Sequence, residues 1–324
     1  MSELPSEPRP PCDSEDRSSS SRRRLRYYFD YVERCNMCGS KTDSHKILGK
    51  RLNQSQGWHP RAKIGISTSV TRCTLCGLVY ANPQPVPFTL QDHYGIPPAQ
   101  YWAEIDSEIG NDYFKEELRQ VRILLPFAPG ARALDVGAGH GKVMVALQRA
   151  GFDTYGIEPS EPFHTWAIEK MKLTPARLKL AAIEDTDFPA QFFDFITFGA
   201  VLEHLYDPSA EIQRALKWLK TSGLIHIEVP SSDWLISKLA NLFFRITGTD
   251  YVTNISPMHK PFHLYEFTLR SFVEHARQNN YEIASYRYYV CQTYVPRAFD
   301  VLLRPIMRWT NTGMQISVWL RKKG

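Results

Sequence analysis

The chain has 324 residues, of which 43% are hydrophobic and 23% charged, with a formal net charge of +5. This length and apolar content suffice for one sizeable core and a smaller module. The modest charge gives no argument for nucleic-acid binding, and no apolar run reaches the length of a membrane span or forms the core of a signal peptide. We therefore expect a cytoplasmic protein, in which the six cysteines are thiols or metal ligands rather than disulfides.

The first 26 residues are predicted to form a disordered tail. The segment "MSELPSEPRPPCDSEDRSSSSRRRL" is rich in proline, serine and charge and poor in apolar side chains. Such a composition cannot bury enough surface to offset the entropy lost on ordering. The tail is therefore expected to take no part in the core.

Four of the cysteines form two matched pairs, in "CNMCGS" and "CTLCGLVY". Two CxxC turns a few tens of residues apart can bring four thiolates to the corners of a tetrahedron, which is the geometry that Zn²⁺ prefers. A site closed by four protein ligands is structural, because no position stays open for substrate. We predict a zinc ribbon over 27–90, followed by a helical connector over 91–130. Its ligands are Cys35, Cys38, Cys73 and Cys76.

From residue 131, short apolar segments alternate with amphipathic ones. The predicted strands are "RALDVGA", "FDTYGIEPS", "RLKLAAIED", "FFDFITFGAV" and "GLIHIEVP". The predicted helices between them are "KVMVALQRAG", "PFHTWAIEKMK" and "SAEIQRALKWLKTSG". This alternation predicts an α/β fold, in which helices cover both faces of a parallel sheet and ligands bind beyond the carboxyl ends of its strands.

The loop after the first of these strands, in "ALDVGAGHGKV", has three glycines at alternate positions behind Asp135. A dinucleotide-binding loop reads G-x-G-x-x-G or G-x-G-x-x-A, and Lys142 stands where its last small residue is needed. A carboxylate before the loop repels a pyrophosphate but suits a ligand with an ammonium and a sulfonium. S-adenosylmethionine is such a ligand. We expect it to be held by Asp135, Gly137, Ala138, Gly139 and Gly141.

The segments "LDVGAGHG", "YGIEPS" and "FDFITFGAVLEHLYDP" resemble the class I S-adenosylmethionine-dependent methyltransferases. With the cysteine module before them, they make the chain similar to the zinc-ribbon methyltransferases of sugar and natural-product biosynthesis. The resemblance implies a Rossmann-like sheet over 131–324, mostly parallel, with an antiparallel last strand in "GMQISVWLRKK". The further cofactor contacts that it implies are Glu158 and Pro159 at the ribose, Ile183 and Glu184 at the adenine, and Ala200 and Val201 at the methionine end.

Two histidines are the catalytic candidates. Methyl transfer needs alignment, exclusion of water and, for some acceptors, removal of a proton, for which imidazole is the natural base at neutral pH. His204 follows the fourth strand, near the reaction centre of similar enzymes, and His263 lies in a loop that faces their substrate pocket. Each has a structural alternative, in which it only fixes its own loop by a hydrogen bond.

The apolar segment near 233–250 bears on the acceptor. It predicts either a lid over an apolar, aromatic or carrier-bound small molecule, or a helix packed into the core or a homodimer. We expect methyl transfer to an O, C or N atom of a natural-product, sugar or carrier-bound acceptor. Two alternatives stay open: an RNA methyltransferase whose ribbon grips RNA, although the ribbon lacks a dense basic stripe, and a non-catalytic cofactor-binding scaffold.

Overall fold

A computed structural model describes residues 27–52, 67–89, 91–98, 109–110, 112–291 and 297–323. The predicted disordered tail lies outside the described residues, as does the middle of the segment between the two cysteine pairs. Among the helices described, none combines the length and the apolar character that crossing a bilayer requires.

The N-terminal part contains short strands and two short helices. They are β1 (Tyr27–Asp30), β2 (Lys46–Leu52), β3 (Ser67–Arg72), β4 (Val79–Ala81), β5 (Gln84–Pro87), α1 (Gln91–Tyr94) and α2 (Lys115–Leu124). Strands β1 and β5 pair with each other, and β2, β3 and β4 form an antiparallel sheet. That sheet takes its fourth strand, β11 (Tyr265–Glu266), from the far half of the chain, in the order β11-β4-β3-β2.

The central sheet has seven strands in the order β12-β13-β10-β9-β6-β7-β8. They are β6 (Arg132–Val136), β7 (Asp153–Glu158), β8 (Leu178–Leu180), β9 (Phe193–Gly199), β10 (Leu219–Pro230), β12 (Tyr281–Tyr289) and β13 (Gln315–Lys322). The five strands from β10 to β8 are parallel, whereas β13 runs antiparallel to both β10 and β12. The prediction of a mostly parallel sheet with an antiparallel last strand is confirmed.

In the part of the chain that the structure describes, six α-helices lie between or beside these strands. They are α3 (Lys142–Arg149), α4 (Glu161–Met171), α5 (Pro208–Trp218), α6 (Leu235–Ile246), α7 (Leu269–Gln278) and α8 (Arg297–Thr310). Each predicted helix between strands is present, and the insertion predicted near 233–250 contains α6. Helix α4 begins at a serine cap, because the Ser160 side chain accepts a hydrogen bond from Phe163 N.

The predicted extension of one helix through "LKTSG" is wrong. Helix α5 ends at Trp218, and residues 219–223 begin β10, where Leu219 pairs with Phe193 of β9. The register shifts between Leu219 and Leu224. A Cβ atom at Gly223 would lie 2.6 Å from Leu219 Cγ, so this glycine is required by close packing at the irregularity rather than by a helix stop.

The cysteine module and the central sheet share one core. The buried cluster that contains the four paired cysteines also contains Val136 of β6, Tyr265 of β11 and Phe272 of α7. Tyr265 is fully buried, and its hydroxyl accepts a hydrogen bond from Gln84 and donates one to the carbonyl of Tyr206. The module is therefore packed onto the sheet through β11 and α7.

Candidate active site

The loop after β6 follows a path that requires glycine. Gly137, Gly139 and Gly141 have φ values of +68°, +53° and +77°, a region that side chains rarely adopt. A Cβ atom at Gly137 would lie 2.6 Å from Val201 Cγ2, and one at Gly141 would lie 2.4 Å from Leu173 Cδ1. The loop thus places bare backbone at the carboxyl edge of the sheet, directly before α3.

Two buried carboxylates lie beside this loop. Asp135 is only 3% exposed, and its Oδ2 atom has no hydrogen-bond partner among the described residues. Burial, reinforced by the neighbouring Glu158, raises the pKa of Asp135 well above its ordinary value. Glu158 accepts hydrogen bonds from Gly139 N at 2.6 Å and Ser160 N at 2.8 Å. Burial raises the pKa of Glu158 to about 7, although these two hydrogen bonds oppose the rise.

Such an arrangement fits a cationic ligand with a sugar diol. A buried carboxylate oxygen without a donor is costly unless it is protonated or meets a positive charge. An ammonium group would satisfy Asp135, and a carboxylate such as that of Glu158 can accept from both hydroxyls of a diol. The cradle and the two acids are therefore suited to S-adenosylmethionine.

The other predicted cofactor residues lie along the same edge. Ala138 is buried and donates its N–H to Ile157 O, while the carbonyl of Pro159 accepts from the Gln91 side chain at 2.8 Å. Ile183 is buried in the same core cluster as the paired cysteines and the central strands, whereas Glu184 is exposed. Ala200, just after β9, is exposed and has a φ of +56°. Val201 lies against the Gly137 position.

The two predicted catalytic histidines meet at the same edge, around Glu203. Their rings lie 4.9 Å apart between centroids, and His263 Nε2 lies 3.7 Å from Glu203 Oε1. His204 Nδ1 lies 3.3 Å from the carbonyl oxygen of Phe262. Leu264 N donates to the Glu203 carbonyl at 2.7 Å, so the loop that carries His263 is fastened to the segment after β9. The structure brings together residues about sixty positions apart in the chain.

The protonation of this cluster follows from its burial. Glu203 is 0% exposed, neither of its carboxylate oxygens has a hydrogen-bond partner among the described residues, and burial raises its pKa to about 8. Burial lowers the pKa of His204 to about 4 and that of His263 well below its ordinary value. At neutral pH both imidazoles are therefore neutral, and Glu203 retains a proton.

Two residues beside the cluster were missed by the sequence reasoning. Glu228, at the end of β10, accepts a hydrogen bond from Ser317 Oγ at 3.3 Å, and burial raises its pKa to about 6. It was detectable as the one acid within the apolar segment "GLIHIEVP". The Tyr94 ring lies edge-on to His204 at 5.8 Å between centroids, but no signal in "QDHYG" indicates this position.

The four predicted metal ligands also come together. Their sulfur atoms lie within 4.8 Å of one another, with shortest separations of 3.5 Å, and all four side chains are buried. These separations are too long for disulfides and close to the distance of about 3.8 Å between sulfurs on one tetrahedral Zn²⁺. Gly39 and Gly77 turn the two pairs in the same way, each with a positive φ. The donor set and its spacing fit zinc.

Comparison with known proteins agrees with this geometry. Residues 111–286, more than half of the chain, match the family described as a methyltransferase domain. A ubiquinone biosynthesis O-methyltransferase of Bradyrhizobium diazoefficiens is 29% identical over 132 residues, which are 40% of this chain and 49% of that enzyme. The enzyme of the same name from Methylococcus capsulatus is 28% identical over 163 residues, which are 49% of this chain and 67% of that enzyme.

The chain spans about half the length of most of these curated relatives. Among solved structures, a methyltransferase from Archaeoglobus fulgidus has a TM-score of 0.45 and 14% identity, with 66% of this chain and 95% of that one covered. One from Mesorhizobium loti has a TM-score of 0.46 and 14% identity, with 67% and 100% covered. The family match covers the glycine loop, both buried acids beside it and the Glu203 cluster. The chain belongs to this methyltransferase-domain family.

Proposed function

We propose that the glycine loop, Asp135 and Glu158 hold the cofactor. The unsatisfied Asp135 oxygen supports a contact with the ammonium group, and the position of Glu158 against Gly139 supports a contact with the ribose. Backbone near Ala138 and Pro159, with Ile183, Glu184, Ala200 and Val201, completes the proposed site. When bound, S-adenosylmethionine supplies an electrophilic methyl group on sulfonium.

We infer that His204 is the general base. The backbone of both Phe262 and Ala200 bonds its ring, and in the tautomer that carries its proton on Nδ1, 3.3 Å from the Phe262 carbonyl oxygen, the Nε2 lone pair accepts a proton from the acceptor hydroxyl. Transfer would form the O–CH3 bond as the S–CH3 bond of the sulfonium breaks to leave a thioether, with the hydroxyl proton passing to His204. Glu203 stabilises the resulting imidazolium in the molecules in which it is ionised, a fraction that grows as the pH rises toward its pKa of about 8, because an opposite charge nearby favours the charged form. His263, beside Glu203, is a positioning residue in this scheme.

The proposed acceptor is a phenol on a small, apolar molecule. Phenolic hydroxyls have a pKa near 10, so an imidazole base supported by a carboxylate can remove their proton during methyl transfer. The relatives named ubiquinone biosynthesis O-methyltransferase support transfer to oxygen rather than to carbon or nitrogen. The buried Glu203–His204–His263 cluster is the single observation that carries the proposal.

Substituting His204 tests it. The His204→Gln variant is expected to release S-adenosylhomocysteine from phenolic acceptors about 10²–10⁴-fold more slowly, because the base is lost, while the calorimetric Kd for S-adenosylmethionine stays unchanged. The matched control is His164→Gln on α4, whose ring bonds the Leu178 carbonyl at 3.0 Å. An unchanged kcat in His204→Gln would refute the base. Cofactor binding without turnover on any phenol would favour the scaffold alternative.

We further propose that Cys35, Cys38, Cys73 and Cys76 bind a structural Zn²⁺. Their sulfur spacing and complete burial support a closed site with no room for substrate. The division into a ribbon over 27–90, a connector over 91–130 and a methyltransferase domain over 131–324 with a lid near 233–250 is part of the same proposal. The shared core makes the ribbon a support for the site rather than a separate binding module.

A further inference from the structure

Helices α6 and α8 each present an apolar face to solvent. On α6 the exposed residues Leu239, Leu242 and Ile246 follow one another at helical spacing, and Ile246 is 75% exposed. The opposite face of α6 is anchored in the protein by the buried residues Ile236, Ala240 and Phe244. The helix is thus held firmly by one side while its apolar outer side contacts water.

Helix α8 repeats the pattern more strongly. Phe299, Leu302, Ile306 and Trp309 are spaced so that they share one face, and Trp309 is 86% exposed. Met307, on the inner face, is fully buried. Large apolar side chains that are exposed singly are ordinary, but a row along a whole helix marks an interaction surface.

The two helices meet at the edge of the sheet that carries the candidate active site. Helix α6 begins five residues after β10 ends, and α8 ends five residues before β13 begins. The ends of these strands pair at Pro230 and Gln315, and Leu235 N donates to Thr312 O at 3.2 Å. The start of α6 and the end of α8 are therefore adjacent, beyond the same strand end that lies beside the Glu203 cluster.

Cations stand beside the apolar rows of both helices. Helix α6 contains no acidic residue; its Lys238 pairs with Asp233, which precedes the helix, at 2.9 Å, and its Arg245 is exposed near Ile246. The single acid of α8, Asp300, is buried and faces Arg304, with 3.7 Å between Oδ2 and Nη1, whereas Arg308 is exposed beside Trp309. Exposed apolar residues flanked by cations, with a tryptophan at the boundary, are typical of helices that lie in the interface of an anionic bilayer.

We propose that the outer faces of α6 and α8 form a docking surface for an anionic phospholipid bilayer. A second copy of the chain fits the surface less well, because a symmetric contact would place the cations of one copy against those of the other. Anionic headgroups complement those cations, and the acyl region accepts the apolar row. The role of this surface in catalysis rests on the proposed function. Docking would bring a phenol that carries a lipid tail from the bilayer to His204.

Vesicle flotation of the full chain tests the proposal. Binding to vesicles of phosphatidylcholine and phosphatidylglycerol is expected, with much weaker binding to phosphatidylcholine alone and a loss of binding at high salt. Leu242→Glu and Trp309→Glu should each weaken binding at least about tenfold, because a charge enters the apolar region. Arg245→Gln with Arg308→Gln should weaken binding to the anionic vesicles only.

The matched control is Ile123→Glu on α2, since Ile123 is also an exposed apolar residue but belongs to neither face. It should leave flotation unchanged, and an unchanged cofactor Kd establishes that each variant is folded. Absence of flotation, or equal flotation of all variants, overturns the docking surface. A dimer that Leu242→Glu dissociates assigns the face to a second copy and also overturns it. Turnover on detergent-solubilised phenols is measured separately, so failure of docking and failure of the proposed chemistry are distinguishable.

Discussion

At the carboxyl end of β6, the Asp135 carboxylate is buried in an environment that favours binding of a cation. Its Oδ2 lacks a donor among the described residues, and burial together with Glu158 holds its pKa well above the ordinary value. Without a ligand, burial and the neighbouring Glu158 favour the protonated form of Asp135. Binding an ammonium group requires the ionised form, so cofactor binding at this residue should release that proton.

The Asp135→Asn substitution therefore should weaken S-adenosylmethionine binding by about 10–100-fold, the loss of one charge-assisted contact of about 1.4–2.8 kcal/mol. Calorimetry over a pH series measures both the Kd and its pH dependence. The native affinity should rise with pH as Asp135 ionises, and that rise should be smaller in Asp135→Asn. Glu169→Gln, an exposed carboxylate on α4, is the control. Equal affinities in the native and Asp135→Asn proteins would contradict the site.

Glu203 is a second residue whose burial sets a pH dependence. Its pKa is raised from the ordinary 4.5 to about 8, so the folded state keeps a proton that the unfolded chain releases above pH 4.5. Stability from this residue is present below pH 4.5 and is lost as the pH rises to about 8. Activity should change in the opposite direction, because the ionised form stabilises the His204 imidazolium.

The Glu203→Gln variant should separate the two effects. Its thermal stability at pH 8 should exceed that of the native protein by about 1–4 kcal/mol, at 1.36 kcal/mol for each unit of removed pKa shift, while the difference should shrink toward pH 5. Turnover should fall most at pH 8 and above and lose its rise toward pH 8, because Gln cannot ionise, whereas near pH 5 it should change little. Thermal melts and S-adenosylhomocysteine release in the same buffers measure both. A variant that is less stable at pH 8 would show that Glu203 is not a strained buried acid.

At the scale of elements, the sequence predicts what depends on local periodicity. The alternation of apolar and amphipathic segments predicted every strand of the parallel sheet, and the three glycines predicted the loop, because both signals are confined to a few consecutive residues. The start of β10 was mispredicted because Gly223 was taken as the helix stop, so residues 219–223 were joined to the amphipathic helix before them. Pairing of Leu219 with Phe193 of β9 decides the strand, and that contact is not local.

The individual residues of the candidate site could be predicted from the sequence, but their proximity in space could not. His204 and His263 were identified one by one, but their approach to Glu203 depends on the loop around Phe262 folding back over the end of β9. Tyr94 reaches His204 from α1, which is more than a hundred residues away in the chain. Such juxtapositions follow from topology, which a single sequence does not reveal.

Across the whole molecule, the cysteine module and the catalytic half, which contains the central sheet and its helices, are joined by direct contacts and a shared core. Strand β11 pairs with β4 through Tyr265 and Tyr80, and the Thr268 side chain donates to the Cys76 carbonyl at 2.7 Å. Thr268 also caps α7, in a capping box with Ser271. The segment from Tyr265 to Thr268 thus contacts the cysteine module and leads into α7. It directly follows the loop that carries His263.

Removal of the metal should therefore destabilise the catalytic half as well as the module. With chelator, we expect a single cooperative melt at a Tm lower by several degrees, because the four buried thiols lose the ligand that holds them together. Amide exchange should rise in residues 262–268 and α7 as well as around the cysteines. Cys38→Ser should reproduce the loss, whereas Cys291→Ser, at an exposed cysteine, should not. An unaltered melt with chelator and with Cys38→Ser would reject the zinc centre, and a melt that splits in two would reject the joined core.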